Sequence, residues 1–109
     1  EGLTIFGDGS QTRSFCYVQD AINITHHLVK HANNEIVNVG KQEEVKISDV
    51  ARIIMSIMGV DPNKLEILPG PVGSAKRRCP DTSKMLKLTD YKYMFNLEEG
   101  LRLTVESLL

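Results

Sequence analysis

Short runs with a period of two, or rich in β-branched residues, alternate along this chain with longer runs whose apolar residues recur near every 3.6 positions. That alternation restricts the fold more than any other feature. Each strand face or helix stripe must be buried against another element, and interleaved runs of this kind give α/β layers. Leu3-Thr4-Ile5-Phe6 reads as a short strand, and Gly7-Asp8-Gly9-Ser10 follows it. Asp-Gly favours turns because both residues tolerate positive φ, so a hairpin is expected with a second strand over residues 11–17. In that strand Arg13, Phe15 and Tyr17 share one face, and Thr12, Ser14 and Cys16 the other. An arginine beside two aromatics suits a pocket wall better than a plain core face.

From Val18 to His31 the period becomes helical, with Val18, Ala21, Ile22, Thr25, Leu28 and Val29 on one stripe that is expected to face the core. Ile36-Val37-Asn38-Val39, ended by Gly40, reads as a buried strand. Ser48 is the expected N-cap of a helix in which Val50, Ile54, Ile57 and Met58 share a face. Gly59 stands where a left-handed C-terminal residue belongs. Leu65 to Leu68 reads as a strand. Pro69-Gly70-Pro71-Val72-Gly73-Ser74 can continue neither a helix nor a central strand, so it is a loop that delivers Lys76-Arg77-Arg78. Asp81 caps a short helix to about Leu88. Asn96 and Glu99 have capping-box spacing ahead of a helix with Leu97, Leu101, Val105 and Leu108 on one face.

Bulk properties exclude several classes. The 13 basic and 14 acidic side chains leave a net charge of -1, so no positive field is available for a nucleic-acid backbone, although a few arginines can hold one small anion. Cys16 and Cys79 are too few for a disulfide framework or a structural zinc site, and read as reduced thiols of a cytoplasmic protein. No apolar run approaches the ~20 residues that cross a bilayer. Glu1 is not an initiator methionine and a strand-like run begins at Leu3, so a piece of a longer polypeptide is expected. A complete small protein behind an engineered boundary is the competing view.

No reactive-group motif stands out in the sequence. Gly7-Asp8-Gly9 begins a Gly-x-Gly, but Thr12 stands where a dinucleotide fingerprint needs its third glycine. No tyrosine has a lysine four residues on. His27 and His31 lie one helical turn apart, but they point away from the apolar stripe and no third ligand is evident, so they read as solvated rather than metal-binding. No catalytic, cofactor-binding or metal-ligating residue is assigned.

A family resemblance emerges from several segments together. Residues 7–20, with Gly7, Gly9, Arg13, Phe15, Tyr17, Val18 and Asp20 in register, resemble the Gly-x-Gly-x-x-x-Arg-x-Phe-x-(Tyr/His)-Val-x-Asp segment of extended short-chain dehydrogenases. These are NAD(P)-dependent nucleotide-sugar epimerases, dehydratases, decarboxylases and reductases. Asn38-Val39-Gly40, Val45-Lys46-Ile47-Ser48-Asp49-Val50-Ala51, Asp81-Thr82-Ser83-Lys84 and Asn96-Leu97-Glu98-Glu99-Gly100-Leu101 resemble later parts of the family in the same order. In the family a Rossmann domain holds NAD(P) and carries a Tyr-x-x-x-Lys pair, both of which would lie upstream of Glu1. The resemblance therefore implies that residues 1–109 are a single small C-terminal α/β domain with short strands and about four helices, without the Rossmann domain and inactive alone.

It further implies a nucleotide-diphosphate sugar as ligand, NAD or NADP in the parent enzyme, and a missing Rossmann domain as partner. Arg13 matches the family arginine that contacts the diphosphate, and a planar guanidinium fits phosphate oxygens two at a time. Where many members carry Arg-x-Gly-Asp before the last capped helix, this chain has Pro71-Val72-Gly73-Ser74 instead, and Arg77 or Arg78 would substitute from the same loop. The alternatives are a solvated basic run, and a stand-alone interaction or structural module that reuses the fold without ligand. Removal of a Rossmann domain would leave an exposed apolar face and promote self-association.

Overall fold

A computed structural model describes residues 2–109. In chain order the elements are β1 (Leu3–Phe6), β2 (Thr12–Ser14), α1 (Val18–His31), β3 (Glu44–Lys46), α2 (Ile47–Met58), a 3-10 turn (Pro62–Lys64), β4 (Leu65–Leu68), α3 (Ser83–Thr89) and α4 (Leu97–Leu108). Four helices and short strands form a small α/β layer.

The expected hairpin does not occur. β1 pairs in parallel with β4, Leu3 opposite Leu65 and Phe6 opposite Leu68, while β2 pairs antiparallel with β3 through Arg13 opposite Val45. Gly7 and Gly9 do adopt positive φ, 105° and 81°. However, the Asp8 carboxylate accepts from both the Ser10 N–H and hydroxyl, and the curled segment turns β2 into a different sheet. β2 also stops at Ser14, so Phe15 and Tyr17 lie beyond it. Tyr17 instead packs on Phe95, with ring centroids 4.8 Å apart.

Helix α2 follows β3 without a loop. Ser48 is not its N-cap. The helix's unpaired first-turn N–H groups are met by backbone: Ile47 donates to the Gln11 carbonyl at 2.9 Å and Ser48 to that of Gly9 at 3.0 Å. This close approach buries Gly9, where a Cβ would stand 3.0 Å from that of Ser48. At the other end Gly59 is left-handed as expected, and Val60 N–H closes on Met55 O. Val50, Ala51 and Met55 are buried with Ile5 of β1, whereas Met58 is half-exposed. The capping box of α4 forms in full, the Asn96 side chain accepting from Glu99 N–H and the Glu99 carboxylate from Asn96 N–H.

Helix α1 has the expected bounds and an unexpected orientation. Its buried residues are Asp20, Ile24 and Leu28, while Val18, Ile22 and Val29 are 60, 54 and 78 % exposed. Ile24 and Leu28 pack with Met85 of α3, and Val37, Leu88, Tyr91 and Tyr93 close around them. Asp20 explains the rotation. Its carboxylate, 1 % exposed, accepts from the Tyr91 hydroxyl at 2.5 Å, Met94 N–H at 2.9 Å and Phe95 N–H at 3.2 Å. Docking that polar group inward turns Val18, Ile22 and Val29 of the predicted stripe outward, while its Leu28 stays in the core. The run Ile36-Val37-Asn38-Val39 is likewise not a strand within the described residues, and Ile36 is 92 % exposed.

Candidate anion-binding site

The β2–β3 pair gains a third extended segment from the loop after β4. Pro71 and the left-handed Gly73 turn the chain, and residues 76–78 then run beside β2 in parallel. Thr12 N–H donates to Lys76 O at 2.8 Å, and Arg78 N–H to Thr12 O at 3.4 Å. Two stretches far apart in sequence are thereby held side by side. Arg13, Arg77 and Arg78 line one open depression with Ser14, Cys79 and Pro80.

The three guanidinium groups are not equivalent. Arg13 is half-buried, and its fork donates to Thr12 O at 2.7 Å and Ala75 O at 2.8 Å. Those bonds fix its plane and leave the remaining donors of the fork free. Arg77 is exposed and paired with Glu44 of β3, its Nε 2.6 Å from one carboxylate oxygen; Thr12 Oγ1 donates to the other at 3.1 Å. The Arg77 hydrogen bond draws the Glu44 carboxyl below its ordinary 4.5, and the same bond raises Arg77. Arg78 has no ion-pair partner among the described residues. Exposed ion pairs are weakly held, so an anion with two charges can compete with Glu44 for Arg77.

Glu44 is the residue that sequence reasoning passed over. Nothing in Glu43-Glu44 marks one carboxylate as an arginine partner; the β2–β3 register puts it opposite Ser14 and within reach of the triplet. Arg13 also borders a second, more apolar depression containing Leu3, Phe6, Ile54 and Pro71, so it stands between a cationic and an apolar surface.

The Gly7-Asp8-Gly9 turn does not form a dinucleotide-binding loop. Gly7-Asp8-Gly9 leads into β2 rather than a helix, and the carbonyls of Gly9 and Gln11 face the N-terminus of α2, where phosphate oxygens would have to approach. No step of cofactor chemistry is assigned to this chain. The histidines of α1 are exposed, and His27 meets the edge of Tyr91 at 6.0 Å. Burial, with a smaller contribution from Asp20, raises the Cys16 thiol. No helix among the described residues is long and apolar enough to cross a membrane.

Fold and site together define a class: an α/β module that brings arginines from two segments to one face. Residues 1–40 match the family model described as "NAD dependent epimerase/dehydratase family". The chain is 36% identical over 106 residues to UDP-glucuronic acid decarboxylase 1 of Danio rerio, covering 97% of this chain and 25% of that one. It superposes on UDP-glucose 4-epimerase of Thermotoga maritima, solved with UDP-glucose, at a TM-score of 0.89 and 28% identity, covering 99% of this chain and 35% of the other. UDP-glucuronic acid 4-epimerase of Bacillus cereus, solved with UDP-glucuronic acid and NAD, gives 0.83 and 30%, covering 100% and 36%. The chain resembles the NAD-dependent epimerase/dehydratase family, and it spans a quarter to about a third of the length of these relatives.

Proposed function

We propose that residues 1–109 are the C-terminal, substrate-binding portion of an NAD(P)-dependent nucleotide-sugar epimerase, dehydratase, decarboxylase or reductase, and that they are catalytically incomplete without a Rossmann domain. Arg13, Arg77 and Arg78 clasp the diphosphate, and the nucleoside end lies toward the apolar depression on the other side of Arg13. The convergence of the three arginines on one depression carries this reading. The relatives support it, since one acts on UDP-glucuronic acid by name and two were solved with UDP-sugars. Fixing the remote diphosphate orients the sugar for a reaction whose chemical groups lie elsewhere, so binding energy is converted into positioning.

A second reading has the arginines only bracing the loop. The two backbone carbonyls held by Arg13 and the Arg77–Glu44 pair favour it. Calorimetric titration separates the two. On the first reading UDP binds more tightly than uridine, added salt weakens it, and Arg13→Ala and Arg78→Ala each reduce affinity at least several-fold. Equal affinity for UDP and uridine, or no change in the Arg78→Ala variant, would refute it.

A further inference from the structure

We infer that the cavity between residues 15–17 and helix α4 is a second ligand site, separate from the arginine depression, and that it takes a small aromatic carboxylic acid. The two aromatics that alternate with Arg13 along the sequence do build a pocket wall, but Arg13 is not part of it. β2 ends at Ser14, and Phe15, Cys16 and Tyr17 then run past the start of α4. With Phe95, Leu97 and Leu101 they border a cavity of about 280 Å³, more enclosed than the arginine depression. That volume lies just under the ~300 Å³ at which pockets for drug-sized ligands begin, so it suits a body of one or two rings.

Packing holds this space open. Tyr17 lies against Phe95 with ring centroids 4.8 Å apart, which fixes one wall. Gly100 brings α4 close to that wall, since a Cβ there would stand 3.1 Å from the Tyr17 Cβ. One turn further on, Thr104 presents a short side chain whose hydroxyl is turned back to the Gly100 carbonyl at 2.7 Å. Two small residues one helical turn apart thus border the cavity together with three aromatic rings, and larger ones would fill it. Burial pushes the Cys16 thiol up, so this part of the wall stays protonated and apolar near neutral pH.

The polar groups on the border decide the ligand's other end. Among the described residues no carboxylate lines the cavity, and Lys41 is its one cation. The Lys41 backbone is tied down, its carbonyl accepting from the Ser14 hydroxyl and the adjacent Gly40 carbonyl from the Tyr93 hydroxyl at 2.5 Å. Its ammonium stands 5.2 Å from the centroid of the Tyr93 ring. The partner carboxylate of Glu43, 3.6 Å away, is the more exposed of the two groups, and a pair of that kind is weak enough for an incoming carboxylate to replace. Asn96 spends its side-chain oxygen on the Glu99 N–H, which leaves its NH2 group without an acceptor among the described residues. An apolar chamber bordered by a held ammonium and a spare amide donor selects a ligand with an apolar body and one anionic, acceptor-only end.

Alkylation of the complete translation product of the reading frame by iodoacetamide, read peptide by peptide in a mass spectrometer, tests this. Indole-3-acetate at millimolar concentration should slow modification of Cys16 several-fold and leave Cys79, beside the arginines, at its own rate. Indole-3-acetamide, with the same rings and no charge, should bind about ten-fold more weakly. Lys41→Met should bring the acid down to the affinity of the amide, and Lys41→Arg should keep the difference. Thr104→Phe fills the chamber from an exposed helix position and should remove protection by both compounds, with an unchanged circular dichroism spectrum. Equal affinity for acid and amide, equal slowing of the two cysteines, or protection that survives Thr104→Phe would each overturn the inference. So would a Cys16 that neither compound slows, because the chamber would then be closed to such ligands in the complete protein. UDP should slow Cys79 and not Cys16, so the arginine site and this one fail separately.

Discussion

Replacing Asp20 by asparagine tests the packing that orients the whole helical layer. The carboxylate is 1 % exposed and receives three donors: Tyr91 hydroxyl and Met94 N–H on one oxygen, Phe95 N–H on the other. Asparagine keeps the volume and one acceptor. If its oxygen stays with Tyr91 and Met94, its NH2 group faces the Phe95 N–H, and two donors oppose each other. Losing that acceptor costs about 1–3 kcal/mol, and the other two bonds lose their charge assistance, roughly another 1 kcal/mol. Relief from burying a charge offsets part of this, leaving a net loss near 2 kcal/mol.

With a urea dependence of about 1.5 kcal/mol/M, the unfolding midpoint should fall by roughly 1.3 M. Tyr91→Phe, which removes one donor and leaves the acceptor satisfied twice, should cost about half as much. Urea denaturation followed by circular dichroism measures both. A midpoint that falls by less than about 0.4 M for Asp20→Asn, or a larger loss for Tyr91→Phe, would refute the reasoning.

Other outcomes follow from the same geometry. Glu44→Gln should free Arg77 and tighten UDP binding by about three-fold near neutral pH. Glu44 is drawn below its ordinary 4.5, so its pair with Arg77 is intact above that value and is lost as pH falls through the lowered one; calorimetry should show wild type and variant converging there. Tyr91 is raised above its ordinary 10.0 by burial, and by donating to Asp20. Its contribution is therefore present below pH 10 and is lost as pH climbs through the raised value, and Tyr91→Phe should remove that alkaline loss from a stability–pH profile. Gly9→Ala meets both a φ of 81° and the Ser48 side chain at 3.0 Å, and should lower stability by about 1–3 kcal/mol in thermal or urea melts.

Local chemistry was legible in the sequence wherever it is settled within a few residues. The capping box of Asn96 and Glu99, the left-handed Gly59 and the bounds of α1 each depend on a side chain or a backbone angle close by. The loop that carries residues 76–78 was equally plain, since its prolines and glycines exclude the alternatives. Partners and faces were not legible. A strand run does not say which strand it will join, so Leu3–Phe6 paired with β4 rather than with its neighbour. Helix α1 held two apolar rows, and hydrophobic period alone could not choose between them. The choice fell to Asp20, whose carboxylate must find donors once buried, and those donors come from Tyr91, Met94 and Phe95, over 70 positions away. The arginines of the candidate site could be named from the chain, but their meeting, and the counter-charge of Glu44 beside Arg77, required the β2–β3 register and the parallel bridge from Thr12 to Arg77, contacts that only the folded backbone brings within hydrogen-bonding reach.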